Sequence, residues 1–339
     1  MSKTRREGRV TVLSRRAFLG AGALALLSGC TRAQKNEDKT IQSSFFCFDT
    51  ACVIGGVMPR EVLDDVVTRC QGFEQTLSRT IATSDIGRVN ASGGAPTKVE
   101  PETADLVQQA LGYCQQSGGL FDITIGAVSE LWDFHNAVVP SADAIAAALP
   151  HVGWEKVEVD TTSCTVTLGD PDARLDLGGI AKGYVTDVVV DLLVEAGVQS
   201  AYVNLGGNVA VMGAKPDGSP WGVGVRDPND ESGEKSVAVV KTEGGSVVTS
   251  GLYERQFELD GKRYWHILDP RTGYPAESDI VSASLYTQRS LDGDGFTKPL
   301  FMLGLDAALA FLGERGIDGL LIDVEGVLHM TEGSSFERL

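Results

Sequence analysis

Hydrophobic residues recur at the spacing of a helix in several stretches of the chain. The clearest is 59–78, where the pattern predicts a helix with one apolar stripe. That stripe consists of Val62, Val66, Cys70, Phe73 and Leu77. The same spacing predicts four further helices, over 101–117, 141–149, 182–197 and 297–316. Ser141 stands where the third of these needs an N-cap.

Other stretches have the pattern of β-strands. Residues 45–56 alternate like one strand, and short strands are expected over 156–159 and 164–168. From 200 to 287 short apolar runs are separated by Gly, Pro and Asp turns, and 319–330 predicts a closing hairpin. Because helices and strands are mixed without a βαβ repeat, the expected class is α+β with mostly antiparallel sheets.

The N-terminus has the features of an export signal. Arg15 and Arg16 precede an apolar run over 17–29, which is too short to span a bilayer and ends directly before Cys30. We expect a twin-arginine lipoprotein signal over 1–29, cleavage before Cys30 and a lipid on that cysteine, which would anchor an exported protein to the membrane. An ordinary signal peptide that happens to contain a cysteine is the alternative. Residues 30–44 are then a polar tether, and 45–339 the catalytic domain.

Composition narrows the class of protein. The 339 residues are 42% hydrophobic and 22% charged, as in a soluble globular protein, and the net charge of −17 argues against nucleic acid as a partner. No Cys-x-x-Cys pair occurs and no histidine lies at ligand spacing, so a zinc site is not expected. Buried free thiols are the favoured interpretation of the five cysteines after Cys30: Cys47, Cys52, Cys70, Cys114 and Cys164. Within one continuous strand, Cys47 and Cys52 would point to opposite faces.

The segment "RLDLGGIAKGYVTD" (174–187) allows two interpretations. Gly178 and Gly179 let the backbone approach a phosphate, Lys182 can neutralise it, and a helix begins there. A plain turn before a helix needs the same glycines for its geometry alone. The segment by itself does not decide between them.

A second cluster lies in "YWHILDPRTGYP" (264–275). Histidine side chains ordinarily have a pKa near neutrality. His266 could therefore serve as a general base or as a donor to phosphate oxygens. A half-buried strand histidine beside a turn is the alternative. Asp292 and Asp294 precede the predicted helix 297–316, where one could be an N-cap and Asp294 could bind a hard metal ion.

Taken in order, nine blocks of the chain resemble one family, the ApbE-type FAD:protein FMN transferases. The blocks are "FDT", "EQTLSRTIATSDIGRVN", "GGLFDITIGAVSELWDF", "LDLGGIAKGYVTD", "VNLGGNVAVMG", "PWGVGVRDP", "TSGLYERQF", "HILDPRTGYP" and "DGFTKPLFMLG". The resemblance runs from about Phe45 to Leu312. The resemblance implies a two-part, T-fold-like α+β structure and an enzyme that splits FAD with a divalent metal ion, usually Mg²⁺. It implies that FMN passes to a Thr or Ser hydroxyl of an exported protein and that AMP is released.

The resemblance also implies a site. The expected catalytic residues are His266, Asp269 and Lys182. The expected FAD contacts are Phe48, Asp49, Thr50, Asp122, Thr124, Gly178, Gly179, Lys182, Gly207, Thr249, Ser250, Gly251, His266 and Arg271. The metal ligands would be the carbonyl of Ala181 and an Asp-x-x-x-Thr pair that begins with Asp294.

Two departures from the family pattern concern this site. Lys298 stands at the Thr position of the metal pair, and an ammonium cannot ligate Mg²⁺. Either Lys298 swings out and water completes the metal shell, or it replaces one ion as a fixed positive charge; we expect a retained but altered metal site. Thr80 replaces an aromatic residue that stacks on the flavin in many members, so Phe48 is the expected stacking partner. A hydrolase that splits FAD to FMN and AMP, or a non-catalytic flavin-binding lipoprotein, remains the alternative function.

Overall fold

The computed structural model describes residues 40–230 and 232–339. The predicted signal, its Cys30 and most of the tether lie outside these residues. The helices are α1 (Arg60–Leu77), α2 (Asp85–Asn90), α3 (Pro101–Gln116), α4 (Gly126–Ser129), α5 (Ala142–Ala148), α6 (Ala181–Glu195), α7 (Ser290–Leu303) and α8 (Leu305–Arg315). In the described residues no helix combines the length and the apolar character needed to cross a membrane.

The strands build one large antiparallel sheet. Its order is β1 (Ile41–Cys47), β2 (Thr50–Gly56), β6 (Ala201–Leu205), β7 (Asn208–Met212), β10 (Gly244–Gly251), β13 (Ile280–Thr287), β14 (Asp318–Asp323) and β15 (Leu328–Met330). Adjacent strands in this sheet pair antiparallel throughout. The predicted α+β class with mostly antiparallel sheets is confirmed.

Smaller sheets complete the strand inventory of the described residues. One has the order β16 (Phe336–Arg338), β9 (Ser236–Thr242) and β8 (Trp221–Arg226), and another β3 (Thr97–Lys98), β5 (Thr165–Leu168) and β4 (Val157–Asp160). A hairpin pairs β11 (Gln256–Leu259) with β12 (Lys262–Trp265). The predicted short strands at 156–159 and 164–168 and the closing hairpin at 319–330 are therefore confirmed.

Two hydrophobic cores lie on the two faces of the large sheet. On one face α1, α6 and α7 pack against it through residues such as Ile54, Val203 and Phe301. On the other face the β16–β9–β8 sheet covers residues such as Val211 and Leu320. Burial of apolar surface on both faces is the main stabilising contribution to this three-layer arrangement. The layers hold α6 and α7 side by side, which positions the site.

Two of the predicted elements differ from the structure. The expected strand 45–56 is a hairpin, because the chain turns at Phe48 and Asp49, which both have positive φ. Its first strand begins at Ile41, so the tether ends earlier than expected. Cys47 and Cys52 therefore lie on one face, both fully buried, rather than on opposite faces. The five cysteines of the described chain are free thiols, as expected, although Cys164 is only partly buried.

The predicted helix 297–316 is two helices. It begins seven residues earlier, at Ser290, and is interrupted at Gly304, whose φ of 77° ends α7 before α8 starts. Asp292 and Asp294 therefore lie inside α7 rather than ahead of it, and neither is an N-cap. Helix α1 has the predicted stripe except that Leu63, not Val62, is fully buried. Helix α5 begins as predicted, with the Ser141 hydroxyl accepting from the Ala144 amide at 3.2 Å.

Candidate functional site

The glycine loop before α6 is organised by one carboxylate. Asp176 Oδ1 accepts from the Gly178 amide at 2.9 Å, while Oδ2 accepts from the Ser129 hydroxyl at 2.8 Å and from Arg79 Nε at 3.0 Å. Asp176 thus fixes the turn, and Gly178 stays exposed at its tip. Asp176 belongs to the block "LDLGGIAKGYVTD" but was not among the residues expected at the site. Lys182 follows in the first turn of α6, so the loop and an ammonium group share one surface.

Helices α6 and α7 cross at Gly183. A Cβ on this glycine would lie 2.7 Å from the Ser290 carbonyl oxygen and 2.8 Å from Leu291 Cα, so only glycine permits the approach. The Gly183 amide donates to Asp294 Oδ2 at 2.6 Å. The carboxylate of Asp187 on α6 accepts from the Ser290 and Leu291 amides at 2.7 and 3.0 Å, which satisfies free donors at the start of α7. The two helices are therefore joined by hydrogen bonds as well as by packing.

Lys298 binds the carboxylate that was expected to hold the metal ion. Its Nζ lies 2.6 Å from Asp294 Oδ1, one helical turn away, and the two side chains are 17% and 1% exposed. Burial disfavours ionisation of Asp294, but the charges of Lys298 and Lys182 and the hydrogen bonds from Lys298 and Gly183 hold the pKa of its carboxyl below the ordinary value. Burial lowers the pKa of Lys298, while Asp294 acts to raise it.

This geometry does not fit a divalent cation. One oxygen of Asp294 faces an ammonium and the other an amide, and the position of the expected Thr ligand carries a group that only donates. A divalent cation would also be repelled by the positive charges of Lys298 and Lys182. The structure therefore does not support the expectation of a retained metal site at Ala181 and Asp294.

The ends of β2, β7 and β10 meet next to α7. The Thr249 amide donates to the Gly207 carbonyl at 3.0 Å, and a Cβ on Gly206 would collide with the Thr50 side chain. The Ser250 hydroxyl donates to Thr297 Oγ1 at 2.9 Å. Three blocks that are distant in sequence, "FDT", "VNLGG" and "TSGL", thus lie close together. The hydroxyls of Thr249 and Ser250 are engaged by Ser284 and Thr297, so they support the site through neighbouring side chains.

His266 follows β12 and is surrounded by positive charge. Burial, and then the charges of Arg255, Lys182 and Lys298, lower the pKa of His266 to about 3. Within the described part of the chain its buried Nδ1 has no hydrogen-bond partner. The imidazole is therefore neutral at physiological pH, and an anion bound among these cations would raise its basicity. The expected grouping of His266 with Lys182 is consistent with this electrostatic coupling.

Asp269 and Arg271 form a turn instead of a catalytic pair. The Asp269 carboxylate accepts from the Arg271 amide at 2.9 Å and from its guanidinium at 2.7 and 2.9 Å. The amide of Gly273, with φ of 74°, donates to the Asp269 carbonyl and closes the turn. Both oxygens of Asp269 are engaged by its own loop, so the catalytic role expected for it is not supported.

Asp122 and Thr124 are likewise engaged by the protein. Asp122 Oδ1 accepts from the Thr124 amide and hydroxyl at 2.8 and 2.6 Å, and Oδ2 accepts from the Trp154 amide at 3.1 Å. Thr124 Oγ1 in turn accepts from the Gly153 amide at 2.7 Å. Both side chains are buried, and we assign them a supporting role rather than direct FAD contact.

The β1–β2 turn reaches two residues that sequence reasoning gave no role. Asp49 Oδ2 lies 3.3 Å from Arg255 and 3.3 Å from His135 Nε2. The Phe48 amide donates to Glu74 Oε1 at 2.8 Å, and the Phe48 ring packs partly against the core. Stacking of Phe48 on a flavin stays a prediction. Arg255 lies in the block "TSGLYERQF". Its positive charge close to the glycine at the end of a strand could have indicated a residue of the site.

Comparison with known proteins agrees with this architecture. The model of the ApbE family matches residues 46–321. The chain is 39% identical over 277 residues to an FAD:protein FMN transferase of Treponema pallidum, with 77% of this chain and 76% of the relative covered. It is also 39% identical over 254 residues to a protein of the same name from Klebsiella pneumoniae, covering 74% and 78%.

Solved structures show the same fold. The ApbE protein of Thermotoga maritima superposes with a TM-score of 0.81 at 29% identity, over 87% of this chain and 97% of the other. The flavinyl transferase ApbE of Pseudomonas stutzeri, in its apo form, gives 0.76 at 28% identity over 87% and 95%. With a family match over most of its length and relatives at this identity, the chain belongs to the ApbE family.

Proposed function

We propose that this chain is an FAD:protein FMN transferase. The observation that carries the proposal is the cluster of Lys182, Lys298 and Arg255 around a neutral His266, beside the exposed glycine loop. Three cations and an open backbone suit a pyrophosphate, and an unprotonated imidazole suits an acceptor hydroxyl. The relatives named above carry the same activity in their names.

The reaction is a phosphoryl transfer from FAD to a hydroxyl group of the acceptor protein. The acceptor hydroxyl oxygen attacks the phosphorus on the FMN side of FAD, and a new oxygen–phosphorus bond forms. The bond from that phosphorus to the bridging oxygen breaks, and AMP leaves with the electron pair. The hydroxyl proton passes to His266, which is neutral beforehand, and then to solvent. Lys182 and Arg255 offset the charge on the phosphate oxygens, so catalysis rests on positioning and electrostatics.

The acceptor and the location are further parts of the proposal. A Thr or Ser side chain of an exported protein is the expected acceptor, and the twin-arginine pattern with Cys30 supports export and a lipid anchor on the extracytoplasmic side. Mg²⁺ is not included, because Lys298 and Gly183 engage the carboxylate that would ligate it.

The function is tested by incubating the protein with FAD and candidate acceptor domains from exported proteins of the same organism. Transfer predicts flavin fluorescence that stays on the acceptor band in a denaturing gel, with one AMP released per label. Free FMN and AMP without labelling would instead indicate an FAD hydrolase. Unchanged FAD with tight binding would indicate a flavin-binding protein and contradict the proposal.

A further inference from the structure

We infer that Lys298 is a built-in cation of the phosphate site, which stands against Asp294 in place of a divalent metal ion, so that this enzyme transfers FMN without one. The inference rests on the proposed function for its reaction. It assigns to one side chain of this chain the charge that the resemblance assigns to Mg²⁺.

Both carboxylate oxygens of Asp294 have hydrogen-bond partners within the protein. Lys298 Nζ at 2.6 Å and the Gly183 amide at 2.6 Å engage its two carboxylate oxygens. Asp294 is 1% exposed, which leaves little space for a further ligand. A metal ion could bind this carboxylate only by displacing an ammonium that is tied to it by charge and by a hydrogen bond.

The Lys298 side chain lies beside the glycine loop that precedes α6. A Cβ built on Gly179 would be 3.8 Å from Lys298 Cε, so the lysine stem runs beside the glycine loop that was expected to hold the pyrophosphate. An ammonium has three N–H donors. Among the residues that the structure describes, Asp294 is its hydrogen-bond partner, so two donors are left for phosphate oxygens.

The site contains both cationic side chains and carboxylates that face them. The Asp294 carboxylate faces Lys298, and Asp49 Oδ2 lies 3.3 Å from Arg255, so two of the three cations near His266 each face a carboxylate, and Lys182 adds a further positive charge. Donors fixed by the fold need no reorganisation when charge develops on the phosphate oxygens. A site with these groups presents fixed cationic donors to a pyrophosphate without a bound ion. A purely structural ion pair between Lys298 and Asp294 is the alternative.

The experiment compares the wild type with three variants in buffers that contain either EDTA or Mg²⁺. Lys298→Arg keeps the charge, Lys298→Met removes it at similar length, and Lys298→Thr restores the Asp-x-x-x-Thr pair. We expect wild-type transfer to be about equal in EDTA and Mg²⁺, and Lys298→Met to lose about 100-fold or more under both conditions. Lys298→Thr should be equally weak in EDTA and recover with Mg²⁺. Thermal melts of each variant separate these effects from loss of folding.

Two binding measurements do not depend on turnover. Mn²⁺ titration followed by electron paramagnetic resonance should show no tight site in the wild type and one site in Lys298→Thr. Quenching of FAD fluorescence should report FAD binding in EDTA for the wild type, weakened in Lys298→Met and preserved in Lys298→Arg.

Several results would overturn the inference. One is wild-type transfer that EDTA abolishes and Mg²⁺ restores, and another is a tight Mn²⁺ site in the wild type. Lys298→Met activity equal to wild type in EDTA would show that the ion pair is structural. Absence of transfer by the wild type under every condition would contradict the proposed function instead, and the two binding measurements would still decide the role of Lys298.

Discussion

Burial and the cations around His266 determine how the rate of transfer should depend on pH. Its ordinary pKa is 6.5, and burial with three neighbouring cations lowers it to about 3 in the free protein. A lowered pKa means that the neutral form persists as pH falls from 8 to 5. Bound pyrophosphate would offset the cations and raise the pKa of His266 in the complex.

We therefore expect different pH profiles for the two kinetic constants. Because kcat/KM reports the free enzyme, it should show no loss near pH 6.5, whereas kcat, which reports the complex, should fall at a higher pH than kcat/KM does. The measurement is steady-state transfer from pH 5 to 8, at saturating acceptor.

Substitution tests the assignment of the proton acceptor. His266→Gln should reduce kcat by about 100-fold or more. His329→Gln is the control, because His329 lies in β15 at the far edge of the large sheet and should leave transfer unchanged. A wild-type loss of kcat/KM near pH 6.5 that disappears in His266→Gln would show that the imidazole titrates normally.

The Asp294–Lys298 pair makes a separate prediction about stability. Asp294→Ala leaves a buried ammonium without its partner, which typically costs about 3–5 kcal/mol in the free energy of unfolding. Adding Lys298→Met removes that unpaired charge, so the double variant should regain most of the stability. Urea unfolding of the wild type, both single variants and the double variant measures this coupling. Additive losses in the double variant would mean that the two side chains do not interact as described.

At the scale of elements, the crossing of α6 and α7 is the contact on which the site depends. Gly183→Ala would place a methyl group 2.7 Å from the Ser290 carbonyl and 3.0 Å from Asp294 Cβ, so the helices must separate. We expect a loss of about 1–3 kcal/mol in stability, together with reduced FAD binding, because the Gly183–Asp294 hydrogen bond lengthens. Chemical denaturation and FAD fluorescence quenching measure the two effects.

A matched glycine in another helix provides the control. A Cβ on Gly72 in α1 meets nothing within 4 Å, so Gly72→Ala should stabilise the protein slightly through helix propensity. FAD binding should stay at the wild-type value. Equal behaviour of the two alanine variants would contradict the close approach at Gly183.

At the scale of the whole molecule, periodicity predicted the helices that lie on a core and bury one regular face. Helices α1, α3, α5 and α6 agree with the predicted ranges to within about two residues. The β1–β2 hairpin was missed because its turn uses Phe48 and Asp49, with φ of 53° and 57°, rather than glycine or asparagine. Residues 45–56 therefore look like one strand.

The sequence indicates which residues belong to the candidate site better than it indicates how they contact one another. The blocks contain Lys182, His266, Asp294 and the departure at Lys298, and the charges of these groups act on one another in the structure. The Asp-x-x-x-Thr spacing paired Lys298 with Asp294, but the helix was expected to start at 297 and so to exclude Asp294, whereas α7 starts at Ser290 and puts the two residues one turn apart. The supporting roles of Asp122 and Asp269 depend on amide and guanidinium donors that only the fold brings to them.

The ion pair in α7 also has a consequence in terms of mass action. The occupancy of a metal site varies with the concentration of free ion, and a chelator or a dilute medium empties it. Lys298 lies four positions after Asp294 in one helix, so its concentration next to that carboxylate is fixed by the chain. We therefore expect the positive charge beside the glycine loop to stay constant when the concentration of divalent ions around the protein changes, so that activity follows the supply of FAD and acceptor.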